Sequence, residues 1–300
     1  MQRIIKSEIY DYRAYRKVID LLCERYRCIT PFTIGQSCGG RDIIALKLGQ
    51  PSSCTLFAAA FHGSEYITTN VLLYFIEDLC HSLTSGAALE GINIKRGLSS
   101  GGVIFVPLVN PDGCEISIHG ATAAGKCAAN ISKLCRGDFK HWNANLRGVD
   151  INHNFDADWD SLRELERKNG IYGPSPTRFG GQHAESEPET IALCNLCRNT
   201  DIRHAIALHS QGEVIYWGYN NYSTDKNRRM AEIMATASGY ALDVPQGLAA
   251  GGGFKDWFVK ERGLPGFTIE LGLGQNPLPI ENAATIYNTV REMLTLSILM

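Results

Sequence analysis

The sequence predicts an α/β protein with a mixed, mostly parallel twisted sheet, helices on both faces, and a single domain over residues 1–300. Three observations predict it. Apolar runs of strand length alternate with amphipathic segments long enough to cover both faces of a sheet. Three of those runs end in a side chain that can bind a metal or move a proton, namely His62, His209 and Glu270. No repeat and no break in composition marks a boundary inside the chain.

In chain order, residues 9–26 read as an amphipathic helix with Tyr12, Tyr15, Val18, Ile19 and Leu22 at helical spacing. Residues 30–48 alternate, and the SCGGRD segment makes the turn between two strands. Residues 56–61 have the length and bulk of a buried strand. They break at His62-Gly63-Ser64-Glu65 and pass into a helix with Ile67, Val71, Leu72, Phe75, Ile76 and Leu79 on one side. Residues 84–102 are rich in Gly and Ser and read as loop with a weak element inside. Residues 102–109 form another buried strand, closed by a turn at Asn110-Pro111-Asp112-Gly113. Residues 114–148 read as loop, 148–152 as a short strand and 156–185 as loop again. Ser186 reads as the N-cap of a helix with Pro188 and Glu189 in its first turn, running to about Cys197. Strands follow at 202–209 and 214–217, and a helix at 225–239. Residues 249–253, AAGGG, are a tight or mobile loop. A short helix at 255–262, a strand at 266–271 and an amphipathic helix at 280–299 complete the chain.

Composition narrows the function. Hydrophobic residues make up 44% and charged residues 20%, which fits a globular protein with a sizeable core. The net charge of −2 favours neither nucleic acid nor an acidic membrane surface. No apolar run approaches the roughly 20 residues that span a bilayer. The first residues show no secretion signal, so the ten cysteines read as reduced thiols and the location as cytoplasmic. Cys194 and Cys197 have CxxC spacing but no second pair, and read as core packing. Gly251 to Gly253 are not followed by the Lys-Ser/Thr of a phosphate loop. Oligomeric state has no signal in the sequence.

His62 and Glu65, three residues apart where a strand gives way to a helix, can converge on one point. Imidazole nitrogen with carboxylate oxygen is a zinc ligand set. A surface histidine beside a glutamate favoured by the helix dipole fits the same four residues.

Seven pieces of the chain resemble the zinc metallocarboxypeptidase family. They are HGSE (62–65), PLVNPDG (107–113), RGVDINHNF (147–155), SEPET (186–190), ALHSQGE (207–213), KDW (255–257) and TIEL (268–271), in family order. The wording of WNANLRGVDIN, HSQGEVIYW and GGFKDWFVKERGLPGFTIELG is similar to a bacterial branch that cleaves γ-D-glutamyl–diamino acid bonds of cell-wall peptides. The resemblance implies a zinc-carboxypeptidase-like fold and one Zn2+ per chain on His62, Glu65 and His209. That is the two-His, one-Glu set of carboxypeptidase A, with the fourth position open to water. It implies Glu270 as general base, passing the proton of that water to the leaving amine.

The same resemblance exposes three departures. The family's Asn-Arg pair after GVD is Asn152-His153 here, and an imidazole cannot grip a carboxylate as a guanidinium does. A second family arginine falls at Asn143, which is still able to donate a hydrogen bond to an oxyanion. Arg147 is a candidate to replace the lost charge. The family's mobile tyrosine falls at Leu248. Lys255 occupies the position that sets side-chain preference, where a cation favours a carboxylate on the substrate; a solvated surface lysine is the other reading. The expected substrate is a short carboxylate-rich peptide or muropeptide, with no nucleic-acid or membrane partner. Two alternatives are a deacylase of the same fold acting on N-acyl amino acids and a non-catalytic zinc-containing peptide-binding protein.

Overall fold

A computed structural model describes residues 2–50, 52–99 and 101–300. Its strands are β1 (Ile29–Gln36), β2 (Asp42–Gly49), β3 (Cys54–Ala59), β4 (Gly102–Val106), β5 (Ile202–His209), β6 (Val214–Tyr216), β7 (Ala241–Asp243) and β8 (Gly266–Glu270). They form one eight-stranded mixed sheet in the order β1-β2-β4-β3-β5-β8-β6-β7. The centre is parallel: β4, β3, β5 and β8 run together. β2 and β6 join it antiparallel on either side.

The helices are α1 (Tyr12–Arg25), α2 (Ile67–Ser85), α3 (Ile94–Gly97), α4 (Pro111–His119), α5 (Ala128–Cys135), α6 (Trp159–Lys168), α7 (Pro188–Asn199), α8 (Asp225–Ser238), α9 (Phe254–Arg262) and α10 (Ala283–Ser297). They cover both faces of the sheet. Alternation along a strand sends neighbours to opposite sides. Phe57 and Ala59 of β3 pack with Leu72 of α2, Met234 of α8 and Val290 of α10. Leu56 and Ala58 pack with Leu193 of α7 and Trp257 of α9. Phe57 lies 5.5 Å from Phe75 and 5.6 Å from Phe105, ring centre to centre. Each such fully buried side chain contributes about 1.5–3 kcal/mol.

The structure differs from the sequence reading in several places, and the stretch 114–148, read as loop, carries most of α4 and all of α5. Asn110-Pro111-Asp112-Gly113 is the first turn of α4, because Asn110 Oδ1 accepts the Gly113 N–H at 2.9 Å and Pro111 fits the N-terminus of a helix. Residues 151–153 form a single helical turn instead of a strand, since the Asp150 carboxylate accepts the Asn152 N–H at 3.2 Å. The stretch 156–185 contains α6, whose buried face is Leu162, Arg163 and Glu166, too polar for an apolar period to reveal. Ser186 is not the cap of α7. Glu187 stands there, and Ser186 Oγ accepts from Asn154 at 2.9 Å. The exposed strand β7 also escaped the sequence pattern. All ten cysteines are free thiols, and Cys194 and Cys197 sit in the core on the buried face of α7. Among the described residues no helix is long and apolar enough to cross a membrane.

Candidate active site

Three parallel strands deliver the site. His62 follows β3 by three residues, while His209 ends β5 and Glu270 ends β8. β5 and β8 are neighbours in a register that sets His209 opposite Glu270. Side chains past the carboxyl ends of parallel strands converge because the strands share a direction. Gly63 allows the turn after β3: a Cβ there would collide with the carbonyl oxygens of Gly113 and Trp142. The Gly63 N–H donates to the Asn143 carbonyl at 3.1 Å, which ties residue 143 to the same place.

Glu65 is the pivot of the cluster. One of its oxygens lies 2.9 Å from His62 Nδ1 and the other 3.1 Å from His209 Nδ1. One ligand atom from each of the three lies within 4.8 Å of the others. The outer nitrogen of His62, Nε2, is 3.2 Å from the Asp150 carboxylate. Burial alone would raise the Glu65 carboxyl, but the His62 charge and the hydrogen bond from His209 hold it well below its usual range. Burial likewise works against charge on His62, yet Glu65 and Asp150 on its two sides raise it. His209 is pushed down, with burial outweighing Glu65. Two buried carboxylates around two imidazoles form a site suited to a cation.

Two imidazole nitrogens with one carboxylate oxygen match a catalytic zinc site with its fourth position open. Asp150 on the outer nitrogen of His62 stands where a carboxylate would fix that ring if it held a metal. Cys38, Glu187 and Glu189 bring another three ligand atoms within 4.8 Å of one another. There, hydrogen bonds from Asn145 and from the Cys38 N–H already serve the carboxylates.

Two cavities meet at the pivot. One, of about 250 Å³, reaches from His62, His209 and Glu270 toward His153, Arg178 and Lys255. The other, of about 400 Å³, opens toward His141, Ser210 and Asn276. Glu65, Asn143, Tyr216 and Glu270 line both. Glu270 faces this junction, and burial together with the charge of Glu65 pushes its carboxyl up to about 8.

The zinc carboxypeptidase family profile matches residues 15–295. This chain belongs to the zinc carboxypeptidase family. It is 34% identical over 280 residues to gamma-D-glutamyl-L-diamino acid endopeptidase 1 of Lysinibacillus sphaericus, covering 93% of this chain and 69% of that one. Its fold superposes on bovine thrombin-activatable fibrinolysis inhibitor with a TM-score of 0.75, at 20% identity and over 97% of both chains. The murein-tripeptide amidase of Escherichia coli O157 follows the same fold with a TM-score of 0.54 at 20% identity, covering 88% of this chain and 91% of that one. The peptidase is therefore a hydrolase with a family requirement for zinc.

The peptidase brings most of the residues singled out from sequence to one cleft, and two of them in unexpected states. Asn143, Asn152, His153 and Lys255 all line the smaller cavity. Asn143 Oδ1 accepts from Ser64 Oγ at 2.5 Å, which leaves its amide N–H free to donate. Asn152 Oδ1 caps α9 by accepting the Phe254 N–H at 3.0 Å. His153 Nδ1 is 2.8 Å from Glu166, which is also bound by Arg163. Burial lowers the His153 imidazole, so it is neutral, donates through Nδ1 and turns a lone pair at Nε2 outward. It is no substitute for a guanidinium. Lys255 is neither a solvated lysine nor a free cation. Its side chain is 4% exposed, and Nζ donates to the Asp256 carboxylate and to the Gly218 carbonyl. Leu248 lines the cleft as an aliphatic wall, while a phenol the sequence reading overlooked, Tyr216, enters from β6. Asp150, Thr177 and Arg178 were also overlooked. Asp150 stood inside the GVDIN piece, whereas Arg178 lies in a Gly- and Pro-rich stretch with no motif around it.

Arg147 does not reach the cleft. Its guanidinium lies 3.6 Å from Glu187 behind the site, with 56% of the side chain exposed. There Asn145 Nδ2 donates to Glu187 at 2.8 Å and to Glu189 at 3.2 Å. Burial pushes the Glu189 carboxyl up to about 7. A carboxyl whose folded value is raised gives stability that is complete below about pH 4.5 and is lost as pH climbs through about 7. Glu189→Gln does not titrate, so its melting temperature should gain on the parent between those pH values and hold a constant lead above them. The difference is on the order of 3 kcal/mol. A melting-temperature difference that does not change with pH would contradict this.

Proposed function

We propose that this peptidase hydrolyses the γ-D-glutamyl–diamino acid bond of short, carboxylate-rich cell-wall peptides, in one domain holding one zinc ion on His62, Glu65 and His209. The observation that carries the catalytic reading is the placement of Glu270 opposite His209, facing the Glu65 cluster at the junction of two cavities. The relative of stated activity, at 34% identity, supports the substrate class.

When bound, zinc supplies Lewis acidity that polarises the scissile carbonyl and acidifies water. The protein's own groups do the rest. The Glu270 carboxylate takes a proton from the attacking water and returns it to the leaving nitrogen. Burial and Glu65 raise the proton affinity of this carboxylate, and the charge of a bound cation would lower it again, so that it would be ionised before it takes the proton. Asn143 Nδ2, held outward by the bond from Ser64 to its Oδ1, donates to the oxyanion. Asn152 Nδ2 donates to the leaving residue. His153, a hydrogen-bond acceptor at Nε2, receives a donor from the substrate and not a carboxylate. The cavity with His153 takes the leaving residue, and the cavity with His141 takes the acyl side.

Digestion of a muropeptide mixture with mass-spectrometric readout tests this. The expected products are γ-D-glutamyl-terminated and diamino-acid-initiated fragments. Release of C-terminal residues from ordinary peptides, with muropeptides left intact, would overturn it.

A further inference from the structure

Arg178 has no role in the sequence reading, and it lines the smaller cavity. The basic side chains there, histidines aside, are Arg178 and Lys255. Lys255 is committed to Asp256 and Gly218. Arg178 makes no ion pair among the described residues, and it is exposed. The Asp150 carboxylate, which accepts the backbone N–H of Arg178, is engaged with His62.

The backbone under Arg178 is held firmly. Its N–H donates to Asp150 Oδ2 at 2.8 Å, Thr177 Oγ1 donates to the same oxygen at 3.3 Å, and the Asp150 N–H donates to the Phe179 carbonyl at 2.8 Å. Residue 178 has φ +65°, a conformation that costs a non-glycine residue free energy and persists only where surroundings enforce it. One carboxylate, Asp150, thus fixes both the His62 ring and the root of Arg178. The guanidinium charge is felt at His153, where it disfavours a second positive charge. So the free cation sits on the side of the cleft where His153 and Lys255 do not supply one.

We propose that Arg178 is a specificity-determining residue that binds the distal, side-chain carboxylate of the leaving diamino acid. A guanidinium presents a planar fork that matches a carboxylate with two parallel N–H···O bonds. The substrate class is then narrowed to a leaving residue carrying a carboxylate on its side chain, a dicarboxylic diamino acid. This rests on the γ-D-glutamyl–diamino acid reading above.

The test compares two substrates on the zinc-loaded full chain. Both have the same γ-D-glutamyl amide. In one the leaving residue is meso-diaminopimelate and in the other L-lysine, which lacks the distal carboxylate. The parent should prefer the first. In Arg178→Ala the ratio of kcat/KM between the two should fall by roughly 10- to 100-fold, mostly through KM, as expected for a lost charged hydrogen bond. Arg178→Lys should restore part of the ratio, since it keeps the charge without the fork. Equal losses on both substrates would assign Arg178 to holding the loop or to a group the two substrates share, and either way overturn the proposal. An unchanged ratio in Arg178→Ala would overturn it too, and would leave the γ-D-glutamyl reading standing. If the parent cleaves neither substrate, that reading fails and this proposal fails with it.

Discussion

Glu270→Gln is expected to keep stoichiometric zinc while kcat falls by on the order of 1,000-fold, within the range that a positioned proton-transfer group supplies. The substitution preserves shape and removes only the ability to accept a proton. Glu270 does not belong to the three residues whose ligand atoms cluster. It faces them from the end of β8, in register with His209. Elemental analysis and turnover measured on the same preparation separate the two roles. Full turnover in this variant would remove Glu270 from the chemistry, and loss of zinc would make it a ligand.

His209→Ala is expected to abolish both zinc retention and activity. One imidazole and one carboxylate would remain, and a structural or catalytic zinc site needs at least three protein ligands. Replacing a residue that merely orients a ligand weakens metal binding about 10- to 100-fold. Asp150→Asn should fall in that range, and His209→Ala beyond it. The His209 ring also stacks on Phe61, 4.9 Å between centres, so some loss of stability accompanies the change. Titration with zinc, with the melting temperature followed in parallel, distinguishes a folded apo protein from an unfolded one. Retention of one zinc per chain by His209→Ala would refute the assignment.

These expectations show how unevenly the site was written into the chain. His62 and Glu65 are three residues apart, so a local pattern can find them. His209 and Glu270 end apolar runs that read as strands, and strand ends of one parallel sheet meet whatever lies between them in sequence. The fold was legible for the same reason, since buried strands and amphipathic helices carry their own periodicity. Where burial was polar, as in α6 with Arg163 and Glu166 inside, the pattern was silent.

The other wall of the cleft behaves differently. Arg147 and Lys255 were reasonable as free cations on sequence alone, and each turned out to be paired, one with Glu187 and one with Asp256. Charge on a side chain is local information; whether that charge is already neutralised is not.

The sequence by itself determined the sheet, the strand ends that carry His62, His209 and Glu270, and the chemistry those residue types permit. Only the tertiary structure decided which cation remains free, where Tyr216 enters, and that His153 is a neutral acceptor. The physical reason is the reach of Asp150. Its two oxygens hold His62 and the backbone of Arg178, so a loop without any motif becomes part of the site through hydrogen bonds that sequence spacing does not encode.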